Sequence, residues 1–296
     1  MTRVAFVGLG SMGLPMATNL LRNGFAVTGF DVRQSAIDEF VRLGGKAASS
    51  VDQAAAGGRY LILMVVHDEQ AEDILFGAGA LDALAADATV ILMATCPPGS
   101  VQRMAERVLA SGRSFIDAPV SGGVVGAKGA SLTIMAAGPD AVVEAARPLL
   151  DALGSKIFHV GRKPGQGAAA KTVNQLLCGV HLAAAAEALC LAGRAGIDMR
   201  VMLEIVSGSS AASWMLNDRG PRMLQSDPEL TSAVDIFVKD LGIVLQAGTS
   251  TKTALPLAAA AHQLFLAASG QGKGHLDDSQ VIEAYRLLNG GRKPTV

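Results

Sequence analysis

Two kinds of position in this chain are spaced for chemistry: glycines that let a backbone come close to an anion, and a lysine and an asparagine three residues apart among alanines. Gly8-Leu9-Gly10-Ser11-Met12-Gly13 follows directly on the apolar run Val4-Ala5-Phe6-Val7 and opens into the helical stretch Leu14–Arg22. Backbone N–H groups at a helix N-terminus bind a pyrophosphate, and only glycine lets the chain turn and approach it that closely. Glycine-rich turns are common, so the context matters. A second β-rich run, Ala26-Val27-Thr28-Gly29-Phe30, ends in Asp31, 18 residues beyond Gly13. A carboxylate at that place accepts hydrogen bonds from the ribose of a dinucleotide. Asp31 favours NAD, because it repels a 2′-phosphate. Arg33 leaves NADP open, since its guanidinium could pair with that phosphate; the plainer alternative is a solvated charge opening the next helix.

A second signal is Asp117-Ala118-Pro119-Val120-Ser121-Gly122-Gly123. Ser121 offers a hydroxyl, and the N–H groups of Gly122 and Gly123 can form a small anion nest. On its own this is as well read as a tight loop. The third signal is Gly165-Gln166-Gly167, followed by Lys171 and Asn174 on one helix face. Lys171 stands among Ala168, Ala169, Ala170 and Val173, and desolvation there lowers its pKa from about 10.4 towards the range of proton exchange. A surface lysine is the bland alternative.

These groups need a scaffold, and the patterning of the chain supplies one. Up to about residue 160, β-rich runs alternate with helical stretches: Arg3–Val7, Ala26–Asp31, Tyr60–Val66, Thr89–Thr95, Ser114–Asp117, Leu132–Ala137 and Lys156–Val160. That rhythm predicts βαβ units and a parallel, doubly wound α/β sheet of Rossmann type. Beyond Gly165 the β-branched runs stop, and Ala/Leu-rich segments follow at Ala168–Ala195, Met199–Gly208, Ser232–Ser250 and Pro256–Ser269. The expectation is a dinucleotide-binding domain over 1–161 and an all-α substrate and oligomerisation domain over 162–296, joined by the long helix. The tail Gly290–Val296 reads as a frayed end.

Composition excludes several classes. The chain has 296 residues, half of them hydrophobic, and its net charge of −1 offers no basic field for nucleic acid or an anionic membrane. Cys96, Cys178 and Cys190 form no C-x-x-C pair, which predicts a reducing, cytoplasmic setting. His67, His159, His262 and His275 lack ligand spacing, so no metal is expected. Residues 253–272 contain no Lys, Arg, Asp or Glu, yet Pro256, His262 and Gln263 make them a buried helix rather than a bilayer span. The Ala-faced long helices predict a homodimer or homotetramer.

Taken together the motifs resemble those of the β-hydroxyacid dehydrogenases, a family that includes 3-hydroxyisobutyrate dehydrogenase and tartronate semialdehyde reductase. The resemblance covers essentially the whole chain. It rests on Gly8–Gly13 with Met16-Ala17 and Asn19-Leu20, on Asp117–Gly123, on Gly165 through Lys171 and Asn174, and on Lys239-Asp240-Leu241-Gly242. Within the family the helical half is most similar to the L-threonate dehydrogenases, through Asn174–His181, Ser213-Trp214-Met215, Ser232–Gly242 and Leu255–Ser269 with Asp277-Asp278.

The resemblance implies that Lys171 is the general acid/base, with Asn174 beside it in the catalytic pair. It implies that Ser121, Gly122, Gly123, Lys171 and Asn174 hold the substrate. It implies that Gly8, Leu9, Gly10, Ser11, Met12, Gly13, Asp31, Val65, Val66, Thr95 and Lys239 meet the cofactor. The implied reaction passes a hydride between NAD and a small hydroxy acid, with oxidation of L-threonate to 2-oxotetronate foremost. A 3-hydroxyisobutyrate or tartronate semialdehyde activity is the alternative, and a silent dinucleotide-sensing scaffold the remote one. Imine reductases share the architecture but generally lack the lysine, so Lys171 counts against them. Ser213, Asp235, His181 and Lys239 are candidates for contacts to a polyol acid. Cys96 and Trp214 read as packing residues.

Overall fold

The first strand, Val4 to Val7, is wholly apolar and buried, as a strand covered on both faces must be. The computed structural model describes residues 1–290, and the rest of the expected frayed tail lies outside the described residues. The chain forms two compact units that divide between Lys171 and Thr172.

Among the described residues the first unit holds nine strands, β1 (Arg3–Val7), β2 (Ala26–Phe30), β3 (Lys46–Ala47), β4 (Tyr60–Leu63), β5 (Thr89–Leu92), β6 (Ser114–Asp117), β7 (Val120–Ser121), β8 (Thr133–Ala137) and β9 (Lys156–Gly161). Its helices are α1 (Gly13–Arg22), α2 (Gln34–Arg42), α3 (Val51–Ala55), α4 (Asp68–Glu72), α5 (Ala80–Ala83), α6 (Pro98–Ala110), α7 (Gly123–Lys128) and α8 (Asp140–Asp151). The strands lie in the order β3-β2-β1-β4-β5-β6-β8-β7, with β9 paired to β8. From β3 to β6 every pairing is parallel, the arrangement of a Rossmann sheet.

The expected all-parallel sheet needs one correction, because β8 runs antiparallel to both β6 and β7. The chain after β6 is spent on β7 and the six-residue α7, so it re-enters beside β6 from the opposite end. Three strands are also shorter than expected: β2, β4 and β5 stop at Phe30, Leu63 and Leu92. The residues beyond them leave the ladder and form the rim at the carboxyl ends of the strands, where open α/β sheets place their ligands.

Alternation across the sheet sends Phe6, Ile62, Ile91 and Ile116 into one core and Val7, Leu61, Leu63, Val90 and Phe115 into the other. Phe40 on α2 fits a slot cut for it by two glycines. A Cβ at Gly45 would lie 2.3 Å from its ring, and one at Gly29 would lie 2.6 Å away.

The second unit is helical. The long α9 (Gln166–Arg194) contains the division between the units, and α10 (Met199–Ser207), α11 (Trp214–Met223), α12 (Val234–Thr251), α13 (Pro256–Ala268) and α14 (Ile282–Leu288) follow it. By length and composition α9 could cross a membrane, but Ala168 packs in the first unit's core, and Leu182, Ala186 and Leu189 pack in the second unit's. Gly179 lets α9 cross α12 closely, since a Cβ there would lie 2.8 Å from the Leu241 side chain. Phe237 and Phe265 stack at 5.0 Å between centroids and join α12 to α13.

Helix α11 has no counterpart among the segments read from the sequence, where Gly220 and Pro221 mask its helical pattern. It is held by charge. Arg219 is buried and donates from Nε to Asp278 Oδ1 at 2.9 Å, while Arg222 donates to Asp277 Oδ2 at 2.9 Å. These pairs account for Asp277-Asp278 as structural residues.

Phe40→Ala should lower the free energy of unfolding by about 3–5 kcal/mol, because the rigid slot between Gly29 and Gly45 cannot collapse onto an alanine. Urea unfolding checks this; a loss below about 1 kcal/mol would mean that the ring does not fill that slot.

Candidate active site

The glycine loop joins β1 to α1, and two of its glycines are demanded by packing alone. Gly8 has φ +96°, and a Cβ there would lie 2.2 Å from the Met64 carbonyl oxygen. A Cβ at Gly13 would lie 1.8 Å from the carbonyl oxygen of Gly8, so the helix start folds tightly back on the strand end. Gly10 is different. A Cβ there would meet only Arg33 Nη2, at 3.5 Å. Nothing in the fold excludes a side chain at Gly10, and a bound diphosphate lying against the backbone would. The loop therefore fits a dinucleotide.

Asp31 follows β2 and is 8% exposed. Its Oδ2 accepts the N–H of Leu9 at 2.7 Å, which ties the glycine loop to the end of the second strand. Its Oδ1 accepts the Arg33 backbone N–H at 2.9 Å and Arg33 Nε at 3.1 Å. Burial acts to raise its pKa, but the hydrogen bonds from Arg33 and Leu9 outweigh it and hold the carboxyl below its ordinary value. Arg33 is thus turned onto Asp31 while most of its side chain stays in water.

Val65 Cγ1 stands 3.4 Å from a Cβ built at Gly8, at the same rim. The N–H of Val66 is engaged by the Gln70 side chain at 3.0 Å. Thr95 lies just past the end of β5, and Cys96 beside it is buried. Ser121 ends the two-residue β7; Gly122 takes φ +127°, which restricts that place to glycine, and Gly123 takes φ +60°, a left-handed conformation that favours it. This loop is joined to the glycine-loop helix by Asn19, whose Nδ2 donates to the Ala127 carbonyl at 2.7 Å.

Asp117 ends β6 and is 1% exposed. Its Oδ2 accepts the N–H groups of Gly165 at 2.9 Å and Ala168 at 2.8 Å. Burial pushes its pKa up to about 6, against the pull of hydrogen bonds from Ala168, Gly165 and Gly167. A pKa raised in the folded state means that this group's contribution to stability is present in full below its unfolded value of about 4, and is lost as the pH rises through about 6.

Lys171 lies on the second turn of α9 and is 6% exposed, while Val173 beside it in sequence is 65% exposed, so the lysine is withdrawn from water but not by all of the residues expected to surround it. Asn174 follows three residues later and belongs to the second unit, as does Lys239. Within that unit Gln175 donates to Asp240 Oδ2 at 2.6 Å, and Lys239 Nζ lies 2.8 Å from the other oxygen of Asp240. Lys239 is therefore oriented by a buried carboxylate.

The geometry brings Gly8–Gly13, Asp31, Val65, Ser121–Gly123 and Lys171 into one unit. Other candidates have structural tasks. Ser213 Oγ caps α11 by accepting the N–H of Leu216 at 3.0 Å, and Asp235 accepts a hydrogen bond from Ser269 Oγ at 2.6 Å. Trp214 is 53% exposed, which is more than a packing residue would be, with the Arg219 guanidinium 5.9 Å from its ring. Three residues escaped notice as single groups: Asn19, Asp117 and Gln175. Each is a polar residue inside an apolar stretch or motif, which is the one signal the sequence carries for a buried tie.

Comparison with known proteins places these features in company. The NAD binding domain of 6-phosphogluconate dehydrogenase, as a family model, matches residues 3–161, and the NAD-binding model of NADP-dependent 3-hydroxyisobutyrate dehydrogenase matches residues 165–285. The chain is 41% identical to the L-threonate dehydrogenase of Cupriavidus necator over 283 residues, 95% of each chain. It is 35% identical to the 3-hydroxyisobutyrate dehydrogenase of Pseudomonas aeruginosa, over 97% of this chain and 99% of that one. The crystal structure of a 3-hydroxyisobutyrate dehydrogenase from Salmonella typhimurium superposes with a TM-score of 0.91 at 37% identity, covering 95% of this chain and 99% of that one.

Asp31→Ala should weaken NADH binding about tenfold or more, since it removes an acceptor for the ribose and for the Leu9 N–H. The change also releases Arg33, so NADPH should lose less affinity than NADH or gain some. Titration of cofactor fluorescence checks both; equal loss for the two cofactors would contradict the role of the Asp31–Arg33 pair.

Proposed function

Because the chain belongs to the β-hydroxyacid dehydrogenase family, the family of 3-hydroxyisobutyrate dehydrogenase, we propose that it oxidises L-threonate to 2-oxotetronate with NAD, using Lys171 as general acid/base. The family's general activity is NAD(P)-dependent oxidation of a hydroxy acid. One observation carries the assignment of the lysine: an amine withdrawn from water to 6% exposure on the helix that starts beside the Asp117–Gly123 segment.

A bound nicotinamide supplies the chemistry of accepting a hydride. The protein's own groups do the rest. Nζ of Lys171 takes the proton of the substrate hydroxyl, and in the reverse direction returns it. The Ser121 hydroxyl and the N–H groups of Gly122 and Gly123 receive the carboxylate with neutral donors. Asn174, one turn past Lys171, holds a substrate hydroxyl or orients the amine. On the cofactor side Gly8, Leu9, Gly10, Ser11, Met12 and Gly13 bind the diphosphate and Asp31 the ribose, with Val65, Val66 and Thr95 at the same rim of the first unit. The ionised state of Asp31 supports a preference for NAD over NADP.

The substrate rests on the relatives: a protein named L-threonate dehydrogenase shares 41% identity across nearly the whole chain. A second reading, oxidation of 3-hydroxyisobutyrate, is favoured by the superposition on the Salmonella typhimurium structure. Self-association and a cytoplasmic place belong to the same proposal. Exposed Leu191, Val201, Ile205 and Leu257 on the helices of the second unit support the former.

Initial rates with L-threonate, 3-hydroxyisobutyrate and glycerate, each with NAD and with NADP, test the reading. L-threonate with NAD should give a kcat/KM at least about tenfold above the others. If 3-hydroxyisobutyrate leads, the second reading replaces the first, and a preference for NADP would overturn the role given to Asp31.

A further inference from the structure

Between the substrate loop and the lysine helix lies a buried carboxylate to which the proposed mechanism gives no task. Asp117 ends β6, four residues before Ser121, and receives the first turn of α9. Oδ2 takes the N–H groups of Gly165 and Ala168, at 2.9 and 2.8 Å, and the N–H of Gly167 also reaches the carboxylate. Those are the donors that a helix start leaves without partners inside the helix. Oδ1 has no hydrogen-bond partner among the described residues.

The seat is close on every side. A Cβ at Gly167 would lie 2.5 Å from the Asp117 carbonyl oxygen and 2.6 Å from that of Met135, so the helix start presses on the end of β6 and the middle of β8 together. Gly165 has φ +91°, and a Cβ there would lie 2.9 Å from Gln102 Cγ. Lys171 comes three residues after Ala168, about one turn along the axis. A shift or fraying of this first turn therefore moves the amine directly. The same carboxylate belongs to the segment that continues to Ser121–Gly123.

We propose that Asp117 is a positioning residue for Lys171, locking the first turn of α9 to the segment that carries Ser121–Gly123, so that amine and carboxylate loop keep one fixed separation. The catalytic side of this role rests on Lys171 being the acid/base. Placement of the amine does not, and it can be read without turnover. Burial pushes the Asp117 carboxyl up to about 6, so holding an ionisable group at this place works against folding at neutral pH.

The test compares the parent with Asp117→Ala and Asp117→Asn in three measurements. These are kcat and KM with the hydroxy acid turned over fastest, NADH binding by fluorescence, and the rate at which acetic anhydride acylates Lys171, followed by peptide mass spectrometry. Asp117→Ala should lower kcat by about 100-fold, the effect of misplacing a reacting group by about 1 Å, and should leave NADH affinity within about twofold. It should also raise the acylation rate of Lys171 about fivefold or more as the first turn opens. Asp117→Asn should restore kcat and acylation to within about fivefold of the parent, because its carbonyl oxygen still accepts from Gly165 and Ala168. If Asp117→Ala does not fold, Gly167→Ala takes its place, since the added methyl pushes the helix start off its seat; it should raise acylation of Lys171 in the same way.

Parent-like kcat and acylation in Asp117→Ala would overturn the proposal. So would loss of NADH binding in step with kcat, or an Asp117→Asn variant as impaired as the alanine. Increased acylation with unchanged kcat would uphold the seat and overturn Lys171 as the acid/base. Absence of turnover by the parent on every hydroxy acid would sink the functional reading alone, and acylation would still decide the role of Asp117.

Discussion

Everything in the first unit depends on how closely backbone can approach backbone at the carboxyl edge of the sheet. β1 turns into α1 with Gly13 against the carbonyl of Gly8 and Gly8 against the carbonyl of Met64, contacts that no Cβ would survive. The same constraint returns where α9 begins, with Gly167 set against the carbonyls of Asp117 and Met135. A helix that starts this near a strand end points its unpaired N–H groups at the rim, which is where an anion or a carboxylate can be received. At α1 that direction is open to a ligand beside Gly10. At α9 it is filled by the protein's own Asp117.

The proposed site would gather anions without a strong local excess of positive charge, in keeping with a chain whose net charge is −1. In the proposed site, neutral N–H donors at Gly8–Gly13 and Gly122–Gly123 are the groups offered to phosphate and carboxylate. The charged groups are mostly turned on one another: Arg33 on Asp31 in the first unit, and Lys239 on Asp240 in the second. Buried carboxylates therefore act here largely as fixtures. Asp31 fixes the glycine loop through Leu9, Asp117 fixes the helix of Lys171, and Asp240 fixes Lys239 with the help of Gln175.

The sequence displays what depends on local pattern and hides what depends on long-range pairing. Alternating apolar runs and glycine spacing disclose the Rossmann half, the helical half and the family. The antiparallel β8 is not legible, because nothing in Thr133–Ala137 says from which end it meets β6. Helix α11 is obscured by Gly220-Pro221 and is fastened instead by Arg219 and Arg222 to aspartates some 55 to 59 residues away. Of the proposed site, Asp31 and Lys171 are visible from their positions in the motifs. Asp117 is visible only as the first letter of a motif, since its partners are backbone N–H groups 48 and 51 residues further on.

In the proposed reaction a buried Lys171 exchanges the proton while other residues hold the cofactor. Replacing Lys171 with alanine and measuring kcat and NADH affinity on the same preparation tests it most directly. The expected result is a fall in kcat of about 100-fold or more, the share general acid–base catalysis ordinarily supplies, with NADH affinity within about twofold of the parent. A variant that keeps most of its turnover would contradict it.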